Sequence, residues 1–145
     1  MNAKIFAVID TNVLVSALLA KHPDSAPVQI FEHLLDKDIV PLFNDEIILE
    51  YSEVFRRPKF SFDQETVKGM LSTIVEFGES SDRISSSKNF PDPKDIVFYE
   101  VALSKDGSYL VTGNVKHFPK EPIVVTPAQM LDIIKKMKGE ENSID

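Results

Sequence analysis

The chain opens with a β-branched and aromatic run, Lys4-Ile5-Phe6-Ala7-Val8-Ile9, that stops at the polar triplet Asp10-Thr11-Asn12. Such a run predicts a central strand entering a helix at Asp10. Val13 to Leu19 is apolar nearly all round, which predicts a buried helix. His22 to Pro27 reads as a loop, with Pro27 suited to the first turn of a second helix. Val28, Phe31, Leu34 and Leu35 would form that helix's apolar face.

Ile39 to Phe43 is a short strand whose Pro41 implies a sheet edge. Asn44 can cap a helix running to about Phe55, with Ile47, Ile48, Tyr51 and Val54 inward. A further helix is expected from Gln64 to Gly78 around Val67, Met70, Leu71 and Ile74, and a weak strand from Asp82 to Ser85. Asp92-Pro93-Lys94-Asp95 opens a helix carrying Phe98, Val101 and Ala102. Tyr109 to Thr112 is a strand turned by Gly113-Asn114, and Ile123 to Val125 is the last strand. Thr126-Pro127 pairs a cap with a proline at the first helical position. This alternation specifies a three-layer α/β/α sandwich on a mostly parallel central sheet. One domain is expected over residues 1–138, with a flexible polar tail over 139–145.

Composition narrows the class. The 145 residues are 43% hydrophobic, enough for one core in a domain of this size. No cysteine is present, which excludes disulfides and thiolate metal sites and fits a cytoplasmic location. The apolar N-terminus is interrupted at Asp10, too early for a signal peptide or a membrane span, so the expectation is a soluble, unprocessed protein. A net charge of −7 argues against a broad electrostatic clamp on nucleic acid. It leaves room for an acidic site that meets a polyanion through a bound cation.

The acids fall at informative places. Asp10 follows the first strand, and ligands of open α/β sheets bind beyond the carboxyl ends of strands. Glu50 borders the apolar stripe beside Tyr51, and Asp95 occupies the first turn of its helix on the side of Phe98 and Ala102. Asn114 lies past the strand ending at Thr112. Carboxylates about 4 Å apart repel by ~4 kcal/mol per pair at an effective dielectric near 20, unless a cation joins them. Hard divalent ions such as Mg²⁺ and Mn²⁺ take such oxygen ligands and promote phosphodiester hydrolysis. Each residue also has a structural role open to it. Asp10 and Asp92 can be helix caps, Asp95 the third residue of a capping box, Glu50 part of a solvated face, and Asn114 a turn residue at positive φ. Spacing alone leaves both readings standing.

Four segments in order resemble the PIN-domain ribonucleases, in particular their toxin-like bacterial and archaeal branch. They are Val8 to Ala17, Glu50 to Phe60, Asp92 to Ala102 and Leu110 to Pro119, and the resemblance spans about Ile5 to Thr126. It implies a PIN-like fold and an endonuclease dependent on Mg²⁺ or Mn²⁺ that acts on single-stranded RNA, leaving a 5′-phosphate and a 3′-hydroxyl. Asp10, Glu50 and Asp95 match the family's first three acidic positions, which implies metal binding and catalysis there. Asn12 and Thr112 would orient those ligands, with Asp92 an auxiliary acid. At the fourth position, where the family often carries Asp, this chain has Asn114. The resemblance also implies a toxin neutralised by a small antitoxin, and a homodimer. Arg56, Arg57, Lys59 and Lys116 are candidate RNA contacts, with Phe60 or Phe62 available for stacking on a base.

Other classes fit less well. An aspartate-nucleophile phosphatase resembles this pattern but has a second Asp where Asn12 stands, and a receiver domain wants acids at the start of the first strand, where residues 1–9 have none. The alternative that stays open is a degenerate PIN-like module that binds RNA or protein without catalysis.

Overall fold

The computed structural model describes residues 4–142. Five strands form one sheet in the order β3-β2-β1-β4-β5: β1 Ile5–Ile9, β2 Ile39–Phe43, β3 Glu79–Ser80, β4 Tyr109–Val111 and β5 Val124–Val125. Every pairing is parallel, so the sheet is entirely rather than mostly parallel. Six α-helices complete the α/β/α sandwich: α1 Thr11–Leu19, α2 Ala26–Leu35, α3 Asp45–Phe55, α4 Gln64–Phe77, α5 Ile96–Leu103 and α6 Pro127–Asn142.

The strand order places the site. β1 lies at the centre, with β2 on one flank and β4 on the other. Winding therefore reverses at β1, and the crevice between the carboxyl ends of β1 and β4 is the topological switch point where such sheets bind ligands. Ala7, Val8, Ile9, Leu110 and Val111 are all at most 1% exposed, as strands covered on both faces should be.

Local chemistry sets most element boundaries as expected. Asn44 Oδ1 accepts from the Ile47 N–H at 2.9 Å and starts α3. Thr126 Oγ1 accepts from the Gln129 N–H at 3.1 Å while Gln129 Oε1 accepts from the Thr126 N–H at 2.8 Å, a reciprocal capping box opening α6. The α4 face of Val67, Met70 and Ile74 is buried, and Leu71 is partly so.

Several expectations are corrected. The third strand is Glu79–Ser80, and residues 82–85 form none. Arg83 there instead turns its side chain to Glu46 and Glu100, at 2.8 and 2.6 Å. Pro41 implies an edge, yet β2 is internal; its pairing with β3 starts only at Leu42, so no ladder donor is missed at the proline. Helix α1 is buried at Thr11, Val13 and Leu14 but emerges by Leu19, which is 52% exposed. In α2 the fully buried residues are Ile30 and Leu34, while Leu35 faces solvent. Helix α6 continues through Gly139 to Asn142, past the start of the expected tail, and 143–145 lie outside the described residues.

Candidate active site

Asp10 leaves β1 while still held by the sheet, its N–H donating to the Val111 carbonyl at 2.9 Å. It occupies the N-cap position of α1, but its side chain makes no capping bond. Its Oδ2 accepts instead from Thr112 Oγ1 at 2.8 Å and Asn12 Nδ2 at 3.0 Å. Both donors are themselves fixed: Thr112 Oγ1 accepts from the Asn114 N–H and Asn12 Oδ1 from the Gly113 N–H, each at 2.9 Å. A side chain at Gly113 would put its Cβ 3.2 Å from Asn12 Oδ1, so the turn is tight there. Burial pushes the Asp10 carboxyl above its ordinary pKa, against the lowering effect of Thr112, Thr11, Asn12 and His117.

Helix α3 is locked to the same point. Tyr51 is buried and its hydroxyl donates to the carbonyl of Ile9, the last residue of β1. Burial first, then the charge of Asp10, raise the Tyr51 pKa, so this donor keeps its proton. Glu50, its neighbour in sequence, thereby reaches the cavity at the end of β1.

Asp95 arrives from the other side. Asp92 Oδ1 accepts from the Lys94 N–H at 3.0 Å, starting the 3₁₀ turn Pro93–Asp95 that leads into α5. Asp92 is thus engaged as a cap and does not line the cavity. Asp95 makes no side-chain cap bond. Its Oδ2 is buried without a hydrogen-bond partner, and His117 Nδ1 stands 3.5 Å away. Burial, then the charges of Asp10 and Asp92, with a smaller push from Glu50, raise the Asp95 pKa to about 6, against the opposing pull of His117.

These side chains share one cavity of about 310 Å³. Asp10, Glu50 and Asp95 line it together with Asn12 and Asn114. Arg57 and Phe60 line it as well; Arg56 and Lys59 are exposed and do not line it, although Lys59 Nζ lies 5.0 Å from the centre of the Phe60 ring. Lys116 borders a neighbouring cavity beside Phe118 and Pro119. Phe60 stacks on Phe62, with ring centroids 5.0 Å apart. Asn114 has φ −127°, so the left-handed turn expected of it does not occur. His117, to which sequence reasoning assigns no role, lines the cavity too. Its place three residues past Asn114, at the rim of β4, is the signal that could have found it.

A family model for the PIN domain matches residues 7–116. The chain belongs to the PIN-domain family. The match runs from inside β1 to the turn carrying Lys116, and so includes Asp10, Glu50 and Asp95. PIN domains are generally nucleases that use divalent metals. No curated protein matches the chain as a relative.

The cavity's donors suit a divalent cation. Carboxylate oxygens form a hard donor set, one of them is buried and unpartnered, and the charges of Asp10, Asp92 and Glu50 add to burial in raising the Asp95 pKa. A tighter grouping, with ligand atoms all within 4.8 Å, occurs elsewhere in this PIN domain, at His33, Asp36 and Asp38. It lies at the opposite end of the sheet, where the Asp38 carbonyl accepts from the Ile5 N–H at the start of β1. Asp38 Oδ2 there already takes His33 Nδ1 at 2.8 Å and Lys138 Nζ at 3.0 Å. Against the effect of burial, these partners hold the Asp38 carboxyl below its ordinary pKa. That group ties α2 and α6 to the sheet. Among the described residues no helix is long and apolar enough to cross a membrane.

Proposed function

We propose that the chain is an endoribonuclease dependent on Mg²⁺ or Mn²⁺ that hydrolyses single-stranded RNA. The observation that carries this reading is the convergence of Asp10, Glu50 and Asp95 on one cavity, with a buried Asp95 oxygen left unpartnered. Asp10 and Asp95 would hold the ion, and Glu50 would hold it or position the attacking water. Such an ion, when bound, orients the phosphodiester, acidifies a water and stabilises the leaving oxygen. Thr112 and Asn12 keep Asp10 in one orientation, so the site need not reorganise when substrate arrives. Arg57, on the cavity wall, would neutralise a substrate phosphate and set the register of the strand. Cleavage would leave a 5′-phosphate and a 3′-hydroxyl.

A toxin role, with a small antitoxin covering the acidic cavity and a homodimeric state, follows from the resemblance of the four segments to the toxin-like branch. A second reading, a non-catalytic module, is favoured by one feature: Asn114 reaches the cavity without bringing a charge. Cleavage of a labelled single-stranded RNA in Mg²⁺ or Mn²⁺, with Asp95→Asn purified in parallel, separates the two. Metal-dependent cutting lost in the variant is the expected result. Equal cutting by both proteins, or none by the wild type, would favour the non-catalytic module.

A further inference from the structure

We propose that His117 contributes a nitrogen ligand to the metal site, which biases the site toward Mn²⁺ over Mg²⁺. The inference rests on reading the acidic cavity as a cation site.

The two atoms that matter stand at ion-pair distance from each other, with no hydrogen bond between them. His117 Nδ1 lies 3.5 Å from Asp95 Oδ2, and that oxygen is buried with no hydrogen bond of its own. Two donors on one ion, each about 2.1 Å from it, stand at most about 4.2 Å apart, and this pair falls inside that limit. The backbone of the turn that carries the ring is also held in place. The His117 N–H donates to the Asn114 carbonyl at 2.9 Å, closing the 3₁₀ turn Val115–His117. The next residue, Phe118, is buried and packs edge-on against Phe90. A short turn anchored at both ends therefore presents imidazole to the cavity.

The charge pattern agrees. Asn114 lines the cavity as a neutral amide, and His117 lines it from the same turn. Both ions accept carboxylates and waters, but Mg²⁺ dehydrates reluctantly and keeps to oxygen ligands, whereas Mn²⁺, the first of the first-row series, admits a nitrogen ligand more readily. Replacing an anionic oxygen by a neutral nitrogen lowers the electrostatic hold on any dication but favours Mn²⁺ within the pair. The competing role for His117 is a protonated partner that merely offsets the charge of Asp95.

Pulsed electron paramagnetic resonance of the full chain loaded with Mn²⁺ distinguishes them, because a coordinated imidazole adds a ¹⁴N coupling to the Mn²⁺ signal. We expect that coupling in the wild type and in His33→Gln, and its loss in His117→Gln. Calorimetric titration should show Mn²⁺ binding about tenfold weaker in His117→Gln, with Mg²⁺ binding changed by less than about threefold. His117 is half exposed, and circular dichroism of each variant checks the fold. Absence of coupling in the wild type overturns the proposal, as does coupling that survives His117→Gln. RNA cleavage measured on the same samples keeps the two ideas apart. Cleavage without coupling removes the nitrogen ligand and leaves the nuclease, while coupling without cleavage does the reverse.

Discussion

Thr112 donates to Asp10 Oδ2 at 2.8 Å although 102 positions separate the two residues. The sheet register explains it: Ile9 pairs with Val111 across β1 and β4, so Asp10 and Thr112 are the next residues on one rim. Thr112 is fully buried, and its hydroxyl also receives the Asn114 N–H, so it joins the three strand-end residues into one network. Thr112→Val keeps the shape and removes the hydroxyl. The expected result is metal affinity and cleavage reduced about 10- to 100-fold, with Thr112→Ser restoring most of both. Mn²⁺ titration of the three proteins measures it, and unchanged affinity in the valine variant would show that Asp10 needs no such support.

Tyr51→Phe should leave the Ile9 carbonyl buried without its donor. A lost bond of this kind costs about 1–3 kcal/mol. Because the hydroxyl also ties α3 to β1, cleavage should fall further than stability alone explains, through Glu50. Urea unfolding beside cleavage at saturating metal separates the two effects.

The metal-free protein should carry a pH signature of Asp95. Its pKa rises from 3.8 to about 6 on folding, so the fold disfavours the charged form. Stability from this group is therefore complete below about pH 4 and is lost as pH rises through about 6. Asp95→Asn should be the more stable protein at pH 7, by about 1 kcal/mol after allowing for partial solvation, with the gain vanishing near pH 4. Thermal melts of both proteins with chelator across that range give the difference directly. A constant difference would mean the Asp95 charge is not repelled in the fold.

Arg57 and Lys116 should behave differently toward RNA. Arg57 lines the acidic cavity and Lys116 borders its neighbour. Arg57→Ala is expected to weaken RNA binding and lower the salt slope by about 1, while Lys116→Ala has the smaller effect on cleavage. Binding measured at several salt concentrations without divalent metal, beside cleavage with it, tests this.

Asn114→Asp adds a fourth acid to the cavity. Divalent affinity is expected to rise about tenfold, since site charge tunes it, and the metal-free protein should lose stability through added repulsion. Calorimetric titration and melts with chelator report the two directions. Unchanged values in both would place the Asn114 side chain outside the ion's reach.

The local chemistry of the chain was legible because it depends on near neighbours. The caps at Asn44, Asp92 and Thr126 all form where side-chain oxygens precede helical periodicity. The buried run Ile5–Ile9 ending at an acid marked both a central strand and the cavity beyond it. Local signals misled where a partner elsewhere decides. Residues 82–85 give up strand geometry as Arg83 reaches Glu46 and Glu100, and Pro41 sits inside the sheet because β3 starts pairing only one residue later.

Sequence by itself determined the alternation of strand and helix, and put an acid at the end of β1 and at the head of α5, since periodicity and capping act within a few residues. Only the tertiary structure decided that β4 lies beside β1, and with it the Thr112 bond, the unpartnered Asp95 oxygen and the place of His117. Strand order is set by how whole faces pack and by the direction in which each crossover winds. No spacing along the chain carries that information.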